Sequence, residues 1–129
     1  MVTLPLELPY PPSINAYWRA NGHRRFISAE GRKFKENVVN YVIENAIPKL
    51  GDIALTITII LRPRDKRKTD IDNRIKAVLD ALQDAGVYDD DCQVEALHVY
   101  RGETLRGGCC YVYIEPHQPK GELSPVLNR

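Results

Sequence analysis

The sequence lacks any apolar run long enough to cross a bilayer. Its longest, Ile53 to Leu61, is interrupted by Thr56 and Thr58 and is far short of a transmembrane span. The first dozen residues, MVTLPLELPYPP, contain no basic stretch of the secretory kind, and prolines stand at 5, 9, 11 and 12. The expected address is therefore the cytoplasm, with no membrane partner. Cysteine is scarce: Cys92, Cys109 and Cys110 are an odd number with no CxxC spacing, which argues against a disulfide scaffold or a zinc site. The three histidines, His23, His98 and His117, are scattered. Neither GxGxxG nor a P-loop occurs, so no nucleotide cofactor is expected.

What remains is an ordinary globular composition. The 129 residues are 43% hydrophobic and 27% charged, enough for one domain with its own core. Net charge is only +1, but the charges are segregated. Residues 62–76 hold seven basic side chains against three acids, and residues 19–35 hold six against Glu30 alone. Residues 80–95 hold six acids and no base. Basic surface around an acidic pocket suits a polyanion bound through metal ions.

The hydrophobic pattern predicts an edge strand over residues 3–8, because Pro5 cannot donate to a central ladder. A long aromatic and basic loop follows at 9–25. Ser28 has the character of an N-cap, and Phe34, Val38, Tyr41, Val42 and Ile43 form the buried stripe of a first helix. Residues 52–62 alternate as a strand, with Ile53, Leu55, Ile57, Ile59 and Leu61 on one side. A second helix is expected from about 72 to 85, with Gly86 as its C′ residue. Strands at 92–101 and 109–115 complete the pattern. The expectation is a single α/β (α+β) domain over 1–115: a small mixed sheet of about four strands covered by two main helices. Residues 116–129, with three prolines, are expected to form an extended or mobile tail.

The informative stretch is Asp70-Ile71-Asp72-Asn73-Arg74-Ile75-Lys76. In an extended segment Asp70 and Asp72 point the same way, and Lys76 lies one helical turn beyond Asp72. Asp80 and Asp84 continue that stripe. Asp89, Asp90 and Asp91 follow just after the helix, where the chain can fold back towards Asp72. Each feature alone has a plainer explanation: an N-cap, a surface ion pair, a solvated turn. Their concentration within thirty residues favours a site. Clustered carboxylates repel one another unless a cation joins them, and oxygen-only ligands suit Mg²⁺, with Mn²⁺ as a substitute. Carboxylates beside a lysine and among arginines point to phosphoryl transfer. Tyr10, Tyr17 and Trp18 are candidates to stack on unpaired bases, or to pack the loop onto the sheet.

The sequence resembles the RusA-type crossover-junction endodeoxyribonucleases, the Holliday junction resolvases of phages and prophages. The resemblance rests on P-Y-P-P-S-x-N at 9–15, F-I-S-A-E-G at 26–31, D-I-D-N at 70–73 with Lys76, D-A-L-x-x-A-G at 80–86 and D-D-x-Q-V at 90–94. It implies a Mg²⁺-dependent homodimer that nicks four-way DNA junctions in symmetric pairs during recombination and repair. It places the catalytic and metal-binding aspartates on Asp70, Asp72 and Asp91, with Asp90 as an alternative or auxiliary ligand, and the essential lysine on Lys76. Arg24, Arg25, Arg64, Lys66, Arg67 and Lys68, together with Lys76, are then expected to contact DNA, with steep salt dependence. Two other readings stay open. One is a branched-DNA-binding architectural protein without catalysis. The other is a hydrolase of small phosphate compounds, which the long basic loops disfavour.

Overall fold

A computed structural model describes residues 3–119. The tail expected at 116–129 therefore falls mostly outside the described residues. Four strands form the main sheet: β1 (Leu4–Leu8), β4 (Leu55–Arg62), β5 (Val94–Arg101) and β6 (Cys109–Pro116), in the order β1-β6-β4-β5. β6 is antiparallel to both β1 and β4, whereas β4 and β5 run parallel. Pro5 does lie on an edge strand, as its missing N–H requires.

Two helices cover one face of this sheet. In α2 (Ala29–Glu44), Ser28 caps the N-terminus by accepting from the Gly31 N–H at 3.0 Å. Phe34 and Val38 of α2, Val78 and Leu82 of α3 (Ile75–Asp84), and Leu55, Ile57, Ile59 and Leu61 of β4 share one buried core. Full burial of each such side chain contributes about 1.5–3 kcal/mol. Gly86 follows α3 with φ +81°, the left-handed conformation that a helix stop demands.

Several expectations need correction. Ile43 and Ile53 are 71% and 42% exposed, so neither belongs to the core. Ile53 precedes the strand, which starts at Leu55. The second helix begins at Ile75 rather than 72, and residues 71–74 form bends and a turn. The long loop is not irregular throughout. It carries a four-residue helix α1 (Ile14–Tyr17) and a hairpin of β2 (Trp18–Asn21) with β3 (Arg24–Ile27). The two-residue turn is Gly22-His23, between the paired Asn21 and Arg24, and Gly22 at φ +65° takes the first central position, where a hairpin turn with one left-handed residue calls for glycine.

The parallel pairing of β4 with β5 has one result for function. Everything from Pro63 to Gln93 is a single crossover connection between those two strands, and it contains all the acidic candidates.

Candidate active site

The crossover leaves β4 at Arg62 and forms a basic loop. Arg64 and Arg74 both stack on Tyr10, at 5.4 and 4.6 Å from the ring centroid, and Arg74 also donates to the Pro11 carbonyl at 2.7 Å. Tyr10 therefore packs the loop in place rather than offering its ring to a base. Behind it Gly108, at φ +72°, leaves no room for a side chain, since a Cβ there would sit 2.9 Å from Tyr10. Arg67 pairs with Asp65 at 2.9 Å, which draws the Asp65 carboxyl below its usual range through hydrogen bonds from Arg67. Lys66 and Lys68 are exposed and border an open cavity of about 600 Å³ that also contains Asp70 and Arg101.

Asp70 and Asp72 are both exposed. Neither caps α3, whose N-terminus has no side-chain cap, so the plain N-cap explanation does not account for them. Asn73, between Asp72 and Arg74, is pinned through its backbone: its carbonyl accepts from the Ile14 N–H at 2.7 Å. Arg101 holds the other flank, donating to the Thr69 carbonyl at 2.6 Å.

Lys76 is the hub of the second half. Its Nζ lies 2.9 Å from a carboxylate oxygen of Asp91 and 2.9 Å from one of Asp80. Hydrogen bonds to Asp91 and then to Asp80 raise its pKa further, so it is a fixed ammonium in this geometry. Asp91 starts a short 3-10 turn (Asp91–Gln93), and its N–H is held by the Gln83 side chain at 2.9 Å. Asp90 has a different task. Its carboxylate caps that turn by accepting from the Cys92 N–H at 2.9 Å, and Gln93 closes a capping box by accepting from the Asp90 N–H. That backbone bond holds the Asp90 carboxyl below its usual range. Asp89 is exposed, and its N–H also goes to Gln93.

The candidate residues thus fall into two groups. Asp91 joins Lys76 and Asp80. Asp70 lines the open cavity together with Arg101 and Gly102. The donor set suits a hard divalent cation in kind, since every member is a carboxylate oxygen. It is not gathered into a ligand shell: among the described residues, no three Asp, Glu, His or Cys side chains come together to hold a metal. The cation lying between Asp80 and Asp91 is Lys76 itself.

The remaining expected DNA contacts divide in the same way. Arg24 is exposed on the hairpin, whereas the Arg25 guanidinium stacks on Trp18 at 4.9 Å. Tyr17 is 1% exposed and cannot reach a base, and Trp18 sits edge-on against it. Asp80, which the sequence places on the Lys76 stripe, does pair with it at i,i+4. Sequence reasoning missed Arg101, whose contact with Thr69 joins residues 32 positions apart and leaves no local trace, and Gln93, whose capping box with Asp90 is a local signal. No described helix is long and apolar enough to cross a membrane.

Comparison with known proteins gives a consistent picture. A family described as Endodeoxyribonuclease RusA matches residues 9–115. A crossover junction endodeoxyribonuclease RusA of Shigella sonnei is 40% identical over 109 residues, covering 84% of this chain and 90% of the relative. One of Enterobacteria phage HK97 is 38% identical over 101 residues, covering 78% and 84%. One of Enterobacteria phage 82 is 38% identical over 109 residues, covering 84% and 90%.

Proposed function

Since the chain belongs to the RusA endodeoxyribonuclease family, we propose that it resolves four-way DNA junctions by hydrolysing phosphodiesters at the acidic segment of the crossover. The observation that carries this reading is the Lys76 ammonium bridging Asp80 and Asp91 at the foot of the helix that follows Asp70 and Asp72. A cation fixed among carboxylates, bordered by the basic 62–68 loop, is suited to a phosphodiester and poorly suited to an uncharged substrate.

RusA-type nucleases depend on a divalent metal. Here Asp70, Asp72 and Asp91 would hold it, and Mg²⁺ is the species their oxygens favour, with Mn²⁺ as substitute. Such an ion supplies Lewis-acid polarisation and a more acidic water. Asp90 is the weaker candidate, because its carboxylate already serves the Cys92 N–H. Lys76 acts as a positive charge towards the phosphate oxygens and is exchanged away from Asp91 as the site closes. Lys66, Lys68 and Arg64, with the hairpin arginine Arg24, bind phosphates. Arg25 and Arg67 must first leave Trp18 and Asp65 to do so.

The acting unit is a homodimer. A junction has approximate twofold symmetry, and an isologous pair presents two equal sites for paired cuts. A ligand set that one chain holds open is also one that a second copy can complete.

The test is an end-labelled synthetic four-way junction with Mg²⁺, with Asp70→Asn and a linear duplex alongside. Symmetric nicks in opposite strands are expected from the native chain. Asp70→Asn should bind the junction as well or better, with phosphate repulsion relieved, and should not cut it. Normal cutting by that variant would refute the assignment. Binding without nicks, in Mn²⁺ as well, would leave the chain an architectural protein.

A further inference from the structure

The β2–β3 hairpin stands apart from the main sheet as its own two-stranded unit. Its register pairs Trp18 with Ile27, Arg19 with Phe26, Ala20 with Arg25 and Asn21 with Arg24. Directly opposed residues share a face and successive residues alternate, so the eight side chains sort into two sets. Trp18, Ala20, Arg25 and Ile27 share the face nearer the body, where Trp18 and Ile27 are half-buried and Ala20 and Arg25 exposed. There Trp18 meets Tyr17, Ile27 packs close to Gly31 of α2, and Arg25 covers the Trp18 ring. Arg19, Asn21, Arg24 and Phe26 share the outward face, and all four are exposed.

Phe26 is the anomaly on that face. It is 46% exposed, and among the described residues no cation stacks on its ring, although four other cation–ring pairs occur in the molecule. One guanidinium stands directly across from it, at Arg19. Another lies two residues along the same strand, at Arg24. A bare ring between two arginines matches a nucleic-acid strand: cations for successive phosphates and a flat apolar face for a base.

The hairpin is also fixed relative to the acidic segment. It grows directly from α1, whose first N–H holds the Asn73 carbonyl at 2.7 Å. The Ser28 hydroxyl, just after β3, donates to the Ala16 carbonyl of the same short helix. Both ends of the hairpin are therefore tied to α1, which in turn is bonded to the residue next to Asp72.

We propose that the outer face of this hairpin reads the branch point of the DNA substrate. Arg19 and Arg24 hold phosphates, and Phe26 stacks on a base left uncovered where strands exchange partners. In continuous duplex each base is covered above and below, so the ring has nothing to stack on. At a four-way branch that stacking is interrupted. The inference rests on the junction-cutting reading and adds to it the element that distinguishes branch from duplex.

The experiment uses the native chain without metal, in EDTA, so that no strand is cut. The probes are a synthetic four-way junction carrying 2-aminopurine at the branch point and a linear duplex of the same sequence. The native chain is expected to prefer the junction and to change the 2-aminopurine fluorescence. Phe26→Ala should bind the junction about tenfold more weakly, with duplex affinity nearly unchanged and the fluorescence change lost. Phe26→Trp should restore both. The double variant Arg19→Ala/Arg24→Ala should lower the salt dependence of binding by about two phosphate contacts.

Unchanged junction affinity and fluorescence response in Phe26→Ala would overturn the proposal, and so would equal losses on junction and duplex. A shift in the sedimentation of the free protein with Phe26→Ala would also overturn it, by showing the ring covered by a second copy. Failure of the junction reading has a different signature: the native chain itself would bind junction and duplex alike, and the inference would fall with it.

Discussion

Lys76→Met removes one charge and keeps most of the aliphatic stem, which makes it the sharpest perturbation of the acidic cluster. Two contacts of 2.9 Å are lost, to Asp80 and Asp91. The lysine side chain is 52% exposed and the carboxylates 20% and 25%, so solvent screens both pairs and each contributes about 0.2–1 kcal/mol. The expected loss is about 1 kcal/mol for the metal-free protein. For 129 residues the unfolding entropy is roughly 0.27 kcal/mol/K, so Tm should fall by about 4 °C. Metal should act in the opposite direction. In the native chain a divalent ion must displace Lys76 from Asp91, whereas in the variant it finds the carboxylate free. Mn²⁺ should therefore bind the variant about fivefold more tightly, the equivalent of the ion pair no longer broken. It should also raise the variant's Tm by more than the native Tm. Differential scanning calorimetry with and without Mn²⁺ measures both effects, and junction cutting by the same variant should be lost. A metal-induced rise in the variant no larger than in the native chain would refute the idea that ammonium and metal compete for Asp91.

Three further outcomes are expected. Arg101→Ala frees the Thr69 carbonyl and should slow cutting by about tenfold or more through misplacement of Asp70, with Tm nearly unchanged; single-turnover cleavage rates check it. Gln93→Ala removes a carboxamide that accepts from the Asp89 and Asp90 N–H groups and donates to the Gly51 and Ile53 carbonyls. It should cost about 1–3 kcal/mol in urea unfolding. In the folded chain at pH 8, iodoacetamide should label exposed Cys92 first, slowly because the Asp90 carboxylate raises its pKa. Cys110, whose thiol burial pushes up to about 12, should stay unlabelled until the protein unfolds, as peptide mass mapping would show.

The parts of this molecule that were legible in the sequence are those where a local period meets a large buried area. Leu55, Ile57, Ile59 and Leu61 alternate because one face of β4 is wholly buried, and Ser28 announces α2 because a helix start needs a side-chain acceptor. Lys76 and Asp91 were legible as chemistry, and the structure does bring that pair together. The hairpin was missed although Gly22 marks its turn, because its strands are only four residues long and three residues of each are exposed. The placement of Asp70 beside Arg101 and Gly102 was not legible at all. It follows from β5 running parallel to β4, and strand order is decided by contacts between residues far apart in the chain.

The sheet order has a consequence for how the protein is made. β1 pairs only with β6, so Leu4 finds its place opposite Ile114. Among the described residues, the first strand must wait for the last one. At roughly 5–20 residues per second that delay is about 5–20 s, during which Leu6 and Leu8 have no sheet to join. β4, waiting for the same β6, is left without its antiparallel neighbour. Completion of the core is thus triggered by the arrival of a single strand. Truncation within residues 109–116 should therefore remove not an edge but the strand on which both neighbours depend.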